Sequence, residues 1–516
     1  MRPTFASRRM VAVTRGSGWV ALGHPLSFAR PTHARRPSAS RYREAPPRNS
    51  TPTRRSPRRR CAVTHRVTLH LVPALRRRLL PEPAEPGRAS LRPGPTPSRD
   101  HDARCLTCQR RPSPKEIVPV SLPTRASSPD DLHAAMVRRL TRSGKILTGA
   151  VTEAMAAVPR HLFLPDTPPR VAYSEQDITT RHAADGPVLR WMSRPGTVAM
   201  MLEQLLVLPG QSILEIGTGT GYTAALLAHL TGEAGQVTTI DIDPDVTAAA
   251  RETLTATGHG AIAAITGDGR HGHSDGAPYD RIVAAGAWDI PGAWWDQLAP
   301  RGRLVVPLRV RGASYSIGFA HRGDRMVSDT LEPTDLTPMI GYQGEQTAPL
   351  YQDDLVSLAW DHDQPITSAD LHGILHRDRT VATSGVTSLH STPVDGIWLR
   401  LAATEEGCCR ITAQPPAVTS QLCTPAIPLG SPALVDADSL AYLTRTREPD
   451  GYSHVLGAVG HGPRRHRLTD RIIDAIHAWD TDRTAAPTIT LHRGSPDTTT
   501  HTRPITKGDD YLTITY

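Results

Sequence analysis

Residues 212–222 read Ser-Ile-Leu-Glu-Ile-Gly-Thr-Gly-Thr-Gly-Tyr, a short apolar strand that runs into a glycine-rich turn. Gly217, Gly219 and Gly221 permit backbone conformations that a side chain would forbid, and they let a ligand approach the chain closely. A strand, a tight glycine turn and a helix in this order are typical of nucleotide-type cofactor sites in open α/β sheets. We therefore expect this stretch to form the strand–turn–helix unit around which an α/β fold is built.

The acid in this stretch indicates which kind of ligand the turn binds. The spacing is Gly-x-Gly-x-Gly rather than the dinucleotide pattern Gly-x-Gly-x-x-Gly, because Tyr222 and Ala224 occupy the later positions. Glu215 lies two residues before the first glycine, where its carboxylate would repel a pyrophosphate. S-adenosylmethionine carries a sulfonium and an ammonium group, which such a carboxylate suits. We predict S-adenosylmethionine as the cofactor, with NAD(P) as the alternative.

Two further acids follow the next two predicted strands. Asp241 comes 26 residues after Glu215, and a carboxylate there can accept hydrogen bonds from ribose hydroxyls. Its alternative role is to cap the next helix, which Asp243 suits better. Asp268 lies between two glycines and can reach an adenine amino group, although the tripeptide also fits an ordinary turn. The predicted cofactor-binding residues are Glu215, Gly217, Thr218, Gly219, Gly221, Tyr222, Asp241, Ile242, Asp268 and Gly269.

The order of the elements predicts the fold class. Strands and helices alternate from residue 213 to residue 307, which is typical of a parallel, doubly wound sheet with helices on both faces. Residues 314–321 and 325–331 alternate like antiparallel strands and should close one edge. We predict an α/β fold, a class I methyltransferase (Rossmann-like) sheet, in residues 126–350 and a C-terminal α+β domain in residues 376–516. In that domain we expect a strand at 397–402, a helix at 468–479 and closing strands at 488–492 and 511–516.

The charge is distributed unevenly along the chain. The 516 residues carry 59 Lys and Arg against 50 Asp and Glu. Residues 1–125 hold 27 of the basic and 6 of the acidic residues, which leaves 32 basic against 44 acidic residues in the remainder. The first 125 residues are rich in Arg and Pro, and such a composition cannot bury enough apolar surface to fold. We expect a disordered tail or a start codon assigned too far upstream, with a transit peptide or an electrostatic arm as alternatives.

Other segments over residues 158–310 belong to one pattern. They are Val-Pro-Arg-His-Leu-Phe at 158–163, Ala-Tyr at 172–173, Asp-Ile-Asp-Pro at 241–244, Gly-Asp-Gly at 267–269 and Gly-Arg-Leu-Val-Val-Pro at 302–307. With the glycine turn, they resemble the protein-L-isoaspartate O-methyltransferase family, and the segment at 159–163 distinguishes that family from other class I methyltransferases. Residues 286–289 and 293–298 also resemble an actinobacterial branch, the FxLD-system methyltransferases, which accompany ribosomally made peptides.

The resemblance also implies where the methyl acceptor binds. The family's active-site segment is Gly-x-Gln-Thr-hydrophobic-Ser-x-Pro, and residues 186–195 here read Gly-Pro-Val-Leu-Arg-Trp-Met-Ser-Arg-Pro. Ser193 and Pro195 match, whereas the Gln-Thr pair is missing. Ser193 would hydrogen-bond the accepting carboxylate, and we expect Arg194 to pair with a substrate carboxylate or a peptide terminus. The alternative for Ser193 is to cap the helix that begins near Gly196.

The function implied by the resemblance is S-adenosylmethionine-dependent methylation of isoaspartyl or aspartyl side chains in a protein or peptide, followed by succinimide formation. Three alternatives stay open. They are a dedicated enzyme that forms aspartimide or isoaspartate in a ribosomally made peptide, an NAD(P)-binding oxidoreductase, and an inactive binding module. We expect a cytoplasmic enzyme with no bound metal, no membrane span and no nucleic-acid partner, whose C-terminal domain recognises the substrate.

Overall fold

The computed structural model describes residues 127–182, 188–334, 344–351, 354–496 and 503–516. The predicted disorder of residues 1–125 lies outside the described residues. Four helices and a hairpin precede the main sheet: α1 (Pro129–Arg142), α2 (Gly149–Ala157), α3 (Pro169–Ala172), β1 (Ile178–His182), β2 (Val188–Met192) and α4 (Pro195–Leu205). Between α2 and α3, Arg160–Phe163 forms one turn of 3₁₀ helix.

Helix α1 shows why this layer folds where it does. The Ser128 side chain accepts a hydrogen bond from the Asp131 backbone N–H at 3.1 Å, and the Asp131 carboxylate accepts one from the Ser128 N–H at 3.1 Å. This reciprocal pair satisfies two backbone donors that the helix itself leaves unpaired. Three apolar residues at helical spacing, Met136, Val137 and Leu140, are buried. The helix therefore begins at a capping box and packs through one apolar face.

The main sheet has ten strands. Its first seven strands and three helices in chain order are β3 (Ser212–Ile216), α5 (Tyr222–Thr231), β4 (Gln236–Asp241), α6 (Pro244–Ala256), β5 (Ala263–Thr266), β6 (Tyr279–Ala284), α7 (Gly292–Gln297), β7 (Leu298–Val310), β8 (Ala313–His321) and β9 (Arg325–Pro333). Strands β5, β4, β3, β6 and β7 are neighbours in this order and run parallel. Strands β8 and β9 continue the sheet in antiparallel pairing. The predicted α/β fold with an antiparallel edge is confirmed.

This strand order determines where a ligand can bind. From β3 the chain moves outward to β4 and β5, and it then crosses back to β6 on the other side of β3. Ligands of doubly wound sheets bind beyond the carboxyl ends of the strands, where the order reverses. The turns that follow β3, β4, β5 and β6 all lie at this edge. These turns, together with the strand and helix ends that border them, carry every cofactor residue that the sequence predicts.

A second, seven-stranded sheet follows in the chain. Its elements are β10 (Glu345–Pro349), β11 (Val356–Asp361), β12 (Arg379–Leu389), α8 (Asp395–Thr404), β13 (Cys408–Ala413), α9 (Pro415–Thr419), β14 (Ser431–Asp436), β15 (Ser439–Arg447), β16 (Ser453–His461) and α10 (Arg465–Thr481). The strand order is β10-β11-β13-β14-β15-β16-β12, and all pairs are antiparallel. Helix α10 contains the predicted helix at 468–479. The predicted strand at 397–402 is wrong, because these residues lie in α8.

Burial explains that error. Ile397, Trp398, Leu399 and Leu401 are all buried, so α8 is apolar around most of its circumference. A short apolar run of this kind cannot be assigned to a strand or a buried helix from its periodicity alone.

The last three strands, β17 (Thr488–Arg493), β18 (Ile505–Lys507) and β19 (Asp510–Thr515), return to the main sheet. Strand β17 pairs with β9, and β19 pairs with both β17 and β18. One apolar cluster extends from Leu214 of β3 through α8 and α10 to Ile514 of β19. The closing strands at 488–492 and 511–516 are confirmed, and they belong to the main sheet. The C-terminal domain over residues 376–516 stays a prediction.

The helices in the described residues were also compared with the requirements of a membrane span. A spanning helix needs about 20 mainly apolar residues. None of the helices in these ranges is both long enough and apolar enough to cross a bilayer.

Candidate functional site

The glycine turn after β3 forms one wall of a pocket at the carboxyl edge of the sheet. The backbone φ angles of Gly217, Gly219 and Gly221 are 99°, 52° and 85°, a left-handed region that other residues rarely adopt. The Gly217 N–H donates to the Ile240 carbonyl at 2.8 Å, which fixes the turn to the end of β4. The predicted requirement for glycine is thus confirmed by the backbone itself.

Glu215 lies at the base of this pocket and is 4% exposed. The Thr239 hydroxyl donates to Glu215 Oε2 at 2.6 Å, and the hydroxyl oxygens of Thr239 and Thr218 lie 2.8 Å apart. Burial raises the pKa of Glu215 to about 8, with a smaller contribution from the nearby charge of Asp241. A buried acid with this pKa is stabilised as the carboxylate when a cation binds beside it.

The raised pKa of Glu215 should make the stability of the ligand-free protein depend on pH. Between the ordinary pKa of 4.5 and about 8 the folded protein holds a proton that the unfolded chain releases, so stability falls as pH rises through this window. Glu215→Gln has no side-chain carboxyl group to ionise, so its free energy of unfolding should fall less than that of the parent protein across this pH range. Urea unfolding of both proteins at either end of the window, without ligand, measures the difference. Identical pH dependence in the two proteins would contradict the assignment.

Asp241 at the end of β4 is 3% exposed and lines the same pocket. Its Oδ2 accepts a hydrogen bond from the Gly219 N–H at 3.2 Å, and its Oδ1 accepts one from the Asp243 N–H at 3.1 Å. Asp243 caps α6 by accepting from the N–H groups of Asp245 and Val246. The structure therefore assigns the capping role to Asp243, as predicted, and places Asp241 in the pocket.

Asp268, which follows β5, contributes the third acid. Its Oδ1 accepts from the Arg270 N–H at 2.9 Å, so the carboxylate caps the short 3₁₀ turn Gly269–His271. The Trp294 indole N–H donates to the Gly269 carbonyl at 2.8 Å and fixes that turn from behind. The Ile242 side chain is 48% exposed, and the residue lines the pocket. Both the acid and the exposed apolar side chain remain available to a planar ring.

The lining of the pocket discriminates between the two predicted cofactors. The described residues that line it include three acids, Glu215, Asp241 and Asp268, and no Lys, Arg or His. A pyrophosphate would meet three carboxylates there, whereas an ammonium, two ribose hydroxyls and an adenine amino group each find an acceptor. Much of the remaining lining is apolar: Met192, Val198, Met201, Leu202, Ile216, Ile240, Val283, Ala284 and Ala285. These residues fit S-adenosylmethionine.

Ser193 lines this pocket from the segment between β2 and α4. Its hydroxyl forms no hydrogen bond with any residue that the structure describes, and α4 has no side-chain cap. The alternative role of Ser193 as a helix cap is therefore wrong. The Ser193 carbonyl accepts from Arg160 Nη2 at 2.7 Å, and Arg160 Nε donates to the Ala172 carbonyl at 2.9 Å.

Arg160 comes from the Pro-Arg-His-Leu-Phe segment and is fully buried. Its guanidinium lies over the Tyr222 ring, 5.2 Å from the centroid, and burial lowers its pKa. The Tyr222 side chain itself lines the pocket. One buried cation thus ties the segment that distinguishes the family to both Ser193 and the helix that follows the glycine turn. Sequence reasoning gave Arg160 no role of its own.

Arg194 is placed differently from its predicted role. Its Nη2 lies 2.8 Å from Asp177 Oδ2, and its backbone N–H donates to Asp177 Oδ1 at 2.8 Å. Its side chain is not among the described residues that line the pocket. A contact with a substrate carboxylate would be made beside the ion pair with Asp177 or in place of it. Local sequence gave no signal for this pair, since Asp177 lies 17 residues earlier.

The fold and the pocket together are those of a class I S-adenosylmethionine-dependent methyltransferase. Residues 131–343 match the family model of protein-L-isoaspartate(D-aspartate) O-methyltransferase. The protein-L-isoaspartate O-methyltransferase of Aeropyrum pernix is 41% identical over 175 residues, which cover 34% of this chain and 65% of that protein. The enzyme of the same name from Hyperthermus butylicus is 36% identical over 219 residues, which cover 40% of this chain and 88% of that protein.

A solved structure of a protein-L-isoaspartate O-methyltransferase aligns with 74% of this chain and 99% of its own, at 17% identity and a TM-score of 0.41. The sequence relationships decide the assignment. The chain belongs to the protein-L-isoaspartate O-methyltransferase family, and its cofactor is S-adenosylmethionine. The predicted resemblance to that family is confirmed, and the resemblance to the FxLD-system branch stays a prediction.

Proposed function

We propose that this chain methylates the free carboxylate of isoaspartyl or aspartyl residues in a polypeptide, which in an isoaspartyl residue is the α-carboxylate. The observation that carries the proposal is the placement of Ser193 in the cofactor pocket with a hydroxyl that no described residue engages. A hydroxyl in that position can donate a hydrogen bond to an accepting carboxylate. When bound, S-adenosylmethionine supplies an electrophilic methyl group.

The described lining has no Lys, Arg or His, and we assign its three acids, Glu215, Asp241 and Asp268, to the cofactor rather than to proton transfer. A carboxylate is already an anion, so its oxygen can attack a methyl carbon without a general base. The residues that face the acceptor need only orient it and exclude water, and the rate then comes from positioning. The apolar side chains of Met192, Met201 and Leu202 suit exclusion of water. Ser193, held through its carbonyl by Arg160, suits orientation.

The product determines what the reaction achieves. The backbone nitrogen of the following residue attacks the ester carbonyl, a carbon–nitrogen bond forms, and methanol leaves. The resulting succinimide ring reopens with water to aspartyl or isoaspartyl peptide. In damaged proteins this sequence repairs isoaspartate, and in a dedicated peptide it would install aspartimide or isoaspartate. The second use stays a prediction, as does recognition of the substrate by the C-terminal region.

We also propose a cytoplasmic location, as the sequence predicts. The three cysteines in the described residues, Cys408, Cys409 and Cys423, are buried free thiols. Free thiols are typical of a reducing compartment.

The three acids around the pocket and the lack of a basic residue in its described lining argue against an NAD(P)-dependent oxidoreductase.

The proposal is tested with the full-length chain, S-adenosylmethionine labelled in its methyl group, and three acceptors at equal concentration. These are an isoaspartyl peptide, its aspartyl isomer and a precursor peptide encoded beside this chain. We expect base-labile label, released as methanol, on the isoaspartyl peptide above the aspartyl isomer. Label on the precursor alone would favour the tailoring function, and label on none of the three would favour an inactive binding module.

Ser193→Ala tests the role of the hydroxyl. A hydrogen bond to a charged group contributes about 1.5–3 kcal/mol, so we expect kcat/KM for the isoaspartyl peptide to fall by roughly tenfold to 150-fold. Affinity for S-adenosylhomocysteine should stay within about twofold, since the acceptor side of the pocket alone is changed. Thr197→Ala is the matched control, because Thr197 lies four residues after Ser193, in the first turn of α4, and is not among the described residues that line the pocket. Equal activity of the two variants would remove Ser193 from the mechanism.

A further inference from the structure

The turn between β18 and β19 packs against the loop that follows β6. Gly508 in this turn has a φ of 66°, and a methyl group on its Cα would lie 2.6 Å from Asp289 Oδ2. That distance is shorter than any carbon–oxygen contact in a relaxed structure. The hairpin therefore approaches Asp289 as closely as a residue without a side chain permits. Its neighbour Asp510 accepts a hydrogen bond from the Trp295 indole N–H at 3.0 Å.

Asp289 connects this contact to the cofactor pocket. Its two carboxylate oxygens accept hydrogen bonds from Arg270 Nη1 at 2.6 Å and Nη2 at 2.9 Å. Asp289 is buried, and a bidentate pair of this kind fixes both partners in orientation. Arg270 is also the residue whose backbone N–H donates to Asp268. The carboxylate that Gly508 touches thus holds the turn that carries Asp268 and Gly269.

Lys507 holds the residue next to Asp289. Its ammonium is fully buried, lies 3.8 Å from the centroid of the Trp288 ring, and pairs with Asp361 Oδ2 at 3.3 Å. Asp361, at the end of β11, is also 3.6 Å from Arg311 Nη1. Two consecutive residues of the hairpin, Lys507 and Gly508, therefore contact two consecutive residues of the loop, Trp288 and Asp289. Gly286 of the same loop lines the pocket.

We propose that Lys507 and Gly508 are positioning residues of the cofactor site, which fix the loop at 285–291 and, through Asp289 and Arg270, the Asp268–Gly269 turn. This inference rests on the cofactor contact predicted for Asp268. The last strands of the chain would then support the methyl-donor site from behind, without lining it, in addition to any part the C-terminal region has in substrate recognition.

Gly508→Ala tests the proposal in the full-length chain by titration calorimetry with S-adenosylhomocysteine. The added methyl group must displace the Asp289 carboxylate, and we expect the Kd to rise about tenfold. Gly323→Ala is the matched control, because Gly323 lies in the turn between β8 and β9, has a φ of 77° and has no atom within 4 Å of a new methyl group. Both variants bear the same backbone strain, so only the first should weaken binding. Equal Kd values for the two would overturn the proposal.

A double variant separates positioning from general damage. In an Asp289→Ala background no carboxylate remains for the new methyl group to meet, so Gly508→Ala should add less than twofold to the Kd. If Gly508→Ala still raised the Kd tenfold in the Asp289→Ala background, the proposal that the hairpin acts through Asp289 would be contradicted. If Gly508→Ala does not fold, Lys507→Met is compared with the parent protein instead, and we expect its Kd for S-adenosylhomocysteine to rise severalfold. Asp268→Ala is measured alongside, since an unchanged Kd in that variant refutes the predicted Asp268 contact while Gly508→Ala reports on the hairpin.

Discussion

Asp241→Asn is expected to weaken S-adenosylhomocysteine binding about a hundredfold. Both carboxylate oxygens of Asp241 accept from backbone N–H groups, those of Gly219 and Asp243. An amide has one oxygen, so its NH₂ group must face one of these donors, and the glycine turn or the start of α6 must shift. The variant also loses the charge-assisted hydrogen bonds that we predict to the ribose, each worth about 1.5–3 kcal/mol, and about 1.4 kcal/mol corresponds to tenfold in affinity.

Titration calorimetry at one pH measures this effect, and Asp243→Asn is the matched control. Asp243 caps α6, and Asn and Asp are almost equivalent at an N-cap, so this variant should bind within about twofold of the parent protein. A parental Kd in Asp241→Asn would show that Asp241 does not contact the cofactor.

Arg160→Met is expected to have the largest effect on turnover, a fall in kcat of about a hundredfold or more. Arg160 donates to the Ala172 and Ser193 carbonyls, and Met can replace neither bond. Two buried carbonyls would lose charge-assisted partners at a cost of about 3 kcal/mol in stability, and Ser193 would lose the bond that fixes its backbone. A displaced hydroxyl cannot aim the acceptor, because small errors in position lower rates strongly.

The readout that distinguishes positioning from unfolding is kcat at saturating peptide, measured below the unfolding transition of the variant. Arg160→Lys can reach one carbonyl and should recover part of the activity. Arg170→Met, an exposed arginine on α3, is the control and should leave kcat and the melting temperature unchanged. Parental kcat in a destabilised Arg160→Met protein would assign Arg160 to stability alone.

The cofactor half of the site could be predicted from the sequence because its determinants are local. Glu215 and Asp241 lie at the carboxyl ends of strands and Asp268 lies two residues beyond one, and parallel strands bring their carboxyl ends to one edge. The separation of roles between Asp241 and Asp243 also followed from helix-capping preferences alone. These inferences need only the order of the elements and the chemistry of short segments.

The remainder depends on contacts between distant residues. The ion pair of Arg194 with Asp177, the two carbonyls on Arg160, and the contact of Gly508 with Asp289 leave no periodic pattern in the sequence. The pairing of β17 with β9 joins residues 490 and 327, and nothing local distinguishes this from a strand in a separate domain. For the same reason the sequence alone does not show that the last strands belong to the main sheet.

The most direct test of the central claim is a mass-spectrometric time course of an isoaspartyl peptide with the full-length chain and S-adenosylmethionine. We expect first a species heavier than the starting peptide by one methylene, then a species lighter than the starting peptide by one water, and finally a mixture that contains the aspartyl isomer. S-adenosylhomocysteine should appear in an amount equal to the methyl groups transferred, and Asp241→Asn should slow methyl transfer and thereby delay every later species. An unchanged isoaspartyl peptide, or a methyl group that persists at another position and resists base, would contradict the account.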